Sequence, residues 1–332
     1  MIHWTIKEVE IVPLFPWKIA RSTTTKRTNF IITAEDSGIS GQGEVAYSTH
    51  FGETRNLILL KFEDFVDNCP RDIKGLESLT VLLDQMDLPL ALRFGIESSF
   101  VHFLAKLAGN QVCELLAMKQ VTALKTSFSI PILADGELEN FVNQYRLHRF
   151  SALKVKINAD YPVSNLVALR NIYQGSIRLD ANEAWQDPDQ VLIFLEKVAP
   201  LEVELIEQPL QAHLHEEYRY LKLHSPIPLF ADESLRDGRI DSDFAQRFSG
   251  VNIKLMKSGG YVNALRQMRE AKEKKLRVML GCSLETSLGI SSAFNVAAGA
   301  DLFDLDGSLL LSSEPFGLLC EENGRIFLSQ LQ

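Results

Sequence analysis

From Thr126 onward the chain alternates short apolar, β-branched runs with stretches of helical periodicity, and successive runs begin roughly 25 residues apart. The runs are Thr126 to Ile130, Ala152 to Ile157, Ser176 to Asp180, Glu202 to Glu207, Pro228 to Asp232, Val251 to Lys254, Arg277 to Leu280 and Leu302 to Asp306. One strand-plus-helix unit of an eightfold parallel barrel occupies that interval, so the expected class is α/β with a (β/α)8-type barrel. The units share no further sequence likeness. The period is architectural and implies no repeat.

In such a barrel the carboxyl ends of the strands open into one shared mouth. Several runs end there on an ionisable side chain: Lys154 and Lys156 in LKVKIN, Asp180 in IRLDANEAW, Glu207 in VELIEQP, Asp232 in LFADES and Lys254 in VNIKLMKSGG. Each has an ordinary explanation when taken singly. A lone KxK is an exposed strand with snorkelling lysines, and an acid at a strand end caps a helix or solvates a surface. Acids at corresponding positions of consecutive units resist that explanation. Asp180, Glu207 and Asp232 present hard oxygen donors from three adjacent strands, a facial set that suits Mg2+ with positions left for water or substrate. Asn182 and Glu233, one or two residues beyond, are placed to orient those ligands or are ordinary loop polarity. Lys154 and Lys156 share one strand face, where two ammonium groups disfavour each other's charge and leave one amine available as a base. Lys254 faces that strand from across the mouth. Lys257, just before Ser258-Gly259-Gly260, is expected outside this set. The glycines suit a tight strand-to-helix turn whose amides would face an anion, and no full phosphate-loop motif accompanies them.

The rest of the chain frames this barrel. Ile6 to Leu14, Asn29 to Glu35 and Ile39 to Val45 read as an antiparallel meander. Glu53 to Asn68, Leu76 to Asp87 and Leu90 to Ala108 read as helices. Residues 1–120 are therefore expected to form a first α+β domain, 121–310 the barrel, and 311–332 a segment with a strand at Arg325 to Leu328 that returns to the first domain. With 332 residues, 46% of them hydrophobic, a sizeable core is available. A net charge of −9 argues against a nucleic-acid partner. No apolar run is long enough for a membrane span, and Met1 to Glu10 reads as a strand and not a signal peptide. Cys69, Cys113, Cys282 and Cys320 have no paired spacing, which fits a reducing, cytoplasmic setting.

The series KVKIN, DANEAW, IEQPL, ADES and NIKLMKSGG resembles the muconate-lactonizing subgroup of the enolase superfamily. The resemblance implies a modified (β/α)7β barrel under an N-terminal α+β capping domain. It further implies Mg2+ on Asp180, Glu207 and Asp232, acid/base lysines at Lys156 and Lys254, and Lys154 beside the substrate carboxylate, where it lowers the proton affinity of Lys156. Asp304 and Asp306 in LFDLDG, two apart on the eighth strand, both face the mouth, and their charge complements an ammonium group. The pair is similar to that of the dipeptide epimerases, the L-Ala-D/L-Glu epimerases among them, where it receives the substrate's amino terminus. It is otherwise a structural strand-end pair. In the same family the segment after strand seven contacts the dipeptide, which places Cys282, Ser283 and Leu284 near substrate, with Cys282 as packing and not a nucleophile.

These residues imply an isomerase that draws a proton from the carbon beside a carboxylate and returns one to the opposite face, inverting the second residue of a small dipeptide. In the resembling family the regions matching the polar loop Arg21 to Arg27 and the loop Tyr47 to Glu53 cap the mouth, so these loops are expected to choose the side chain. Arg21 either meets an acidic substrate, favouring L-Ala-Glu, or faces solvent; Trp17 and Phe51 would suit an apolar residue. Ser129, where the family more often has threonine, is a further contact. Within the superfamily, o-succinylbenzoate synthase or a cycloisomerase uses the same lysines and metal, but on substrates with no ammonium for Asp304 and Asp306. A Schiff-base aldolase on Lys156 or Lys254 leaves the three carboxylates unemployed, and a non-catalytic metabolite binder is the plainest alternative. The sequence leaves a homo-oligomer open.

Overall fold

The computed structural model describes residues 1–70 and 73–329. Eight parallel strands, Phe128–Ile130, Ala152–Lys156, Ser176–Asp180, Val203–Glu207, Leu229–Ala231, Gly250–Lys254, Arg277–Gly281 and Leu302–Asp304, pair in sequence order. The first and eighth strands form no regular ladder among the described residues, but they meet at the seam. Ser127 N donates to the Phe303 carbonyl at 3.1 Å, and Leu305 N to Thr126 Oγ1 at 2.7 Å. The result is a nearly closed barrel.

Strand alternation divides its side chains between two environments. Leu153, Val155, Ile177, Leu179, Ile206, Val251, Ile253, Val278 and Leu280 point outward into the main hydrophobic core beneath the helices. Inward-facing Leu205, Phe230 and Met279 pack against Leu302 as a separate apolar plug. Two residues further along the same strands come Glu207, Asp232, Gly281 and Asp304. The polar layer is thus the next inward layer above a dry floor, and the period of two places it there. Gly281 has no side chain because a Cβ would collide with the Asn252 carboxamide.

The cap is built from strands His3–Ile11, Arg27–Asp36 and Ile39–Val45, antiparallel in that order, and helices Arg55–Asn68, Leu76–Gln85 and Leu90–Ala108. Phe30, Ile32, Ala34 and Val45 pack with Leu92, Phe94, Ile96 and Phe100 in one core. Sheet and helix approach at glycine: a Cβ on Gly41 would land on the main-chain atoms of Ser99 and Phe103, which cannot rotate away. G41A is expected to lower stability by about 3 kcal/mol, at the upper end for overpacking, as a shift in denaturant midpoint. An unchanged midpoint would mean that the helix can recede.

Two buried cap carboxylates seat the cap on the barrel. Glu97 Oε1, from the long cap helix, accepts from Val262 N at 3.2 Å, at the start of the barrel helix Tyr261–Glu273. This is the anion that meets the Gly259-Gly260 turn, and Gly260 (φ +143°) leaves it room, since a Cβ there would strike the carboxylate. Glu44, fully buried on a cap strand, accepts from Thr286 N at 3.1 Å, Thr286 Oγ1 at 2.6 Å and Gly289 N at 3.0 Å, at the start of Ser287–Phe294. Both acids thus occupy the electropositive N-terminus of a barrel helix.

Three local expectations differ from the structure. The stretch after Trp17 is not an unpatterned loop: Trp17–Ile19 and Ser22–Thr24 form a hairpin, and Arg27 already opens a cap strand. The terminal segment contains a second strand, Leu319–Glu322, which forms a hairpin with Arg325–Leu328 over Asn323 and Gly324, both at positive φ. That hairpin adds to Ala123–Lys125, where cap meets barrel, while Leu14 N donates to the Leu310 carbonyl at 2.8 Å and Ser312 N to the Val12 carbonyl at 2.8 Å. Residues 330–332 lie outside the described residues. Finally, the eighth strand ends at Asp304, so Asp306 reaches the mouth from the following turn and not as a strand neighbour.

Candidate active site

A cavity of about 330 Å³ opens at the carboxyl ends of the strands beneath the cap. Lys154, Lys156, Lys254, Asp232, Asp304 and Asp306 line it from the barrel, and the loops around Arg21 and His50 line it from the cap. Asp180 and Glu207 lie in its floor, fully buried. One oxygen from each of Asp180, Glu207 and Asp232 lies within 4.8 Å of the others.

The lysines interleave with these acids. Lys156 Nζ donates to Asp180 Oδ2 at 2.5 Å, at one end of the triad, and Lys254 Nζ to Asp232 Oδ2 at 2.7 Å, at the other. Lys154 Nζ sits 2.6 Å from Asp304 Oδ2, 2.8 Å from Glu207 Oε2 and 3.0 Å from Asp180 Oδ2. Burial opposes its charge, but Asp180, Asp304 and Glu207 together outweigh burial and raise its pKa well above the ordinary lysine value. Lys254 is raised in the same way, by Asp232 against its burial. The expected repulsion between Lys154 and Lys156 therefore does not set Lys154's state: carboxylates stand between the amines, and Lys154 remains an ammonium. Burial, then Asp180, pushes Glu207 up to about 8.

Partners fix the acids. Asn182 N donates to Asp180 Oδ1 at 3.1 Å, and Asn252 Nδ2 to Glu207 Oε1 at 2.8 Å. Gln208 Oε1 accepts from Asp232 N at 2.9 Å and Ser234 N at 3.1 Å. Lys257, expected outside the set, is buried against Asp232: its Nζ pairs with Asp232 Oδ1 and donates to the carbonyls of Asp232 and Leu235. Asn252 was legible as the residue two before Lys254 on an inward face. Gln208 and Lys257 act through turns that leave no period. The triad suits a hard cation. Its donors are carboxylate oxygens, and two of them, Glu207 Oε2 and Asp232 Oδ1, are buried without accepting a directed hydrogen bond although an ammonium lies near each.

Across the mouth, Asp304 and Asp306 differ. Asp304 is bonded to Lys154 and, through Oδ1, to Ser127 Oγ at 2.7 Å; Lys154 overcomes its burial and lowers its pKa. Asp306 accepts Ser129 N at 2.5 Å and has no ion pair among the described residues. Burial, then Asp304, pushes it up to about 7. Asp306 is thus the carboxyl whose charge is unspent. Ser129 reaches the site as a support for these acids, with Oγ 3.4 Å from Asp304 Oδ1. Cys282, Ser283 and Leu284 line the same wall, and burial, then Asp306, raises the Cys282 thiol well above its ordinary value, which suits packing. Asn29 Nδ2 holds this strip from the cap by donating to the Leu284 carbonyl at 2.9 Å. Arg21 is partly exposed and lines the cavity, with its guanidinium engaged by the barrel. Its Nη1 donates to Glu233 Oε1 at 2.8 Å and to the Asn182 carbonyl at 3.1 Å.

The sequence profile of the Enolase C-terminal domain-like family matches residues 137–307, the span that carries these strands. The L-Ala-D/L-amino acid epimerase of Pedosphaera parvula is 31% identical over 326 residues, covering 93% of this chain and 90% of that protein. The chain belongs to the dipeptide-epimerase branch of the enolase superfamily. A second such epimerase, the L-Ala-D/L-Glu epimerase of Bacteroides thetaiotaomicron, is 28% identical and covers 94% of this chain and 82% of its own length. The crystal structure of an enolase family member from Agrobacterium tumefaciens with homology to dipeptide epimerases, with bound sodium and L-Ala-L-Glu, superposes with a TM-score of 0.89 at 26% identity. That match covers 99% of this chain and 98% of the other. Membership in this epimerase branch agrees with the barrel, the cap and the acid triad.

Proposed function

We propose that this protein inverts the α-carbon of the C-terminal residue of a dipeptide, of the type L-Ala-Xaa, by removing a proton from one face and returning one to the other. One arrangement carries the reading: Lys156 and Lys254 bond opposite ends of the acid triad, with an acidic pair across the same cavity. Asp180, Glu207 and Asp232 would hold Mg2+, which when bound supplies positive charge facing the substrate carboxylate. Asp306, with Asp304, takes the substrate ammonium, which fixes the direction in which the dipeptide lies.

With the ends so placed, the α-carbon lies between the two amines. Loss of its proton gathers a second negative charge on the carboxylate, and Lys154, held as an ammonium by its acids, keeps a permanent positive charge beside it. Lys156 and Lys254 exchange roles as base and acid according to the hand of the substrate, so the reaction runs in both directions. The cap closes the cavity over the reacting carbon and excludes water from it.

Other chemistries on this barrel fit less well. A dehydration or cycloisomerisation of the same superfamily gives Asp306 nothing to bind, and a Schiff base on either lysine leaves the buried triad idle. The test is exchange of the α-hydrogen: a pool of L-Ala-Xaa dipeptides incubated with protein and Mg2+ in heavy water gains one mass unit at the second residue. If no dipeptide exchanges while the o-succinylbenzoate precursor is converted, the dehydratase reading replaces this one.

A further inference from the structure

We propose that Arg236, and not Arg21, selects the substrate side chain, and that it selects an anionic one. The inference rests on the reaction proposed above and names the group that the C-terminal residue of the dipeptide carries.

Three substituents of the α-carbon are already placed. Its carboxylate faces the triad, its amide leads to Asp304 and Asp306, and its hydrogen faces one lysine or the other. The side chain must leave toward the remaining wall, which Arg21, His50, Phe51, Glu53 and Arg236 form. Inversion moves hydrogen from face to face while this substituent stays in the same quarter of the cavity, so one subsite serves both hands.

The charges on that wall are mostly spent. Arg21 and Glu233 neutralise each other at 2.8 Å, and His50 Nε2 lies 3.0 Å from Glu183 Oε2. Glu53 turns its oxygens to main-chain amides, Ser48 N at 2.8 Å and Ala91 N at 3.3 Å, and burial raises its pKa. Arg27 has no ion pair among the described residues, but its guanidinium donates to the Tyr47 carbonyl and stands in the field of Glu44 and Glu285. Arg236 is different. Its guanidinium lies 4.7 Å from the centre of the Phe51 ring and has no ion pair among the described residues, and its Nε is buried with no hydrogen-bond partner. A guanidinium lying over an aromatic face keeps N–H groups for a further partner, and a carboxylate can take two of them through parallel hydrogen bonds. A side chain ending in a carboxylate would satisfy it. An uncharged amide of the same shape would offer only one acceptor, and an ammonium would be repelled.

The test compares L-Ala-L-Glu with its isostere L-Ala-L-Gln, and with L-Ala-L-Met, in the wild type, R236M and R21M. The readout is kcat/KM for α-deuterium exchange with Mg2+ present. The wild type is expected to favour Glu over Gln, and in R236M that ratio falls roughly 10- to 150-fold, the value of a charge-assisted pair. In R21M the ratio is kept. Measuring a ratio within one variant separates lost recognition from lost folding. Equal exchange of the three dipeptides by the wild type, or a ratio unmoved in R236M, overturns Arg236 while leaving the epimerase reading intact. A ratio that collapses in R21M returns the role to Arg21. Exchange of none of the three, with succinylbenzoate formed instead, sinks both.

Discussion

K254A is expected to stop exchange of the α-hydrogen from one hand of the dipeptide's C-terminal residue, and K156A from the other, each by about 10³-fold. The two amines hold opposite ends of one acid triad, through Asp232 and Asp180 respectively, and the proposed reaction gives each of them one face of the α-carbon. Single-turnover exchange in heavy water, run separately on the L,L and L,D dipeptides, reads the two half-reactions apart. Each variant keeps washing hydrogen out of one antipode while losing the other, so net inversion disappears in both. Equal loss on both antipodes in one variant and none in the other would point to a single base working on one face. Thermal melts of both variants guard against a trivial cause, because each removal also takes one of two counter-charges from a buried carboxylate.

The second large effect concerns the triad. Chelation is expected to abolish exchange in the wild type, and added Mg2+ to restore it. In E207Q, Mg2+ affinity measured by calorimetry falls by more than about 100-fold, since even the outer partners of metal ligands are worth about 10- to 100-fold. Glu207 is the informative member. One of its oxygens is held by Asn252 at 2.8 Å and the other accepts no directed bond, so the glutamine substitution removes a donor with little change of shape. N252A, which frees the held oxygen, is expected to lie between E207Q and wild type. Full activity after exhaustive chelation would remove the cation from the scheme and with it the role given to the triad.

The inward placement of the barrel's ionisable residues was legible because it follows short-range rules. A period of two sends 180, 207, 232 and 254 to the same inner layer, and the spacing of units brings their strands together in order. The helices at 55–68, 76–85 and 90–108 show themselves by their apolar spacing, with shifts only at their ends. What stayed hidden depends on partners far away in the chain. Arg21 reads as a free cation until Glu233, 212 positions later, is seen to hold it. Arg236 has no local pattern, and what sets it apart is a buried Nε without a hydrogen-bond partner among the described residues. The hairpin at 17–24 escaped because its strands are three residues each, too short for alternation to register. Asp306 was assigned by counting from Asp304, a rule that fails once the strand has ended. The like-charge argument for Lys154 and Lys156 counted neighbours along the strand and left out the acids around Lys154, which raise its proton affinity.

The seating of Glu44 and Glu97 has a consequence for how this architecture changes over time. Each acid acts as a key in a lock made largely of main-chain amides, completed by the Thr286 hydroxyl and by glycine at 260 and 289, so the fit tolerates substitutions around it that keep those positions. A chimera that grafts another relative's lid onto this scaffold should therefore keep its reactive centre in alignment when acids occupy both keyed positions, however far the discriminating loops have diverged. Where either acid is missing, the same graft should fold yet turn over poorly, because the part that chooses the substrate would no longer be indexed to the part that transforms it.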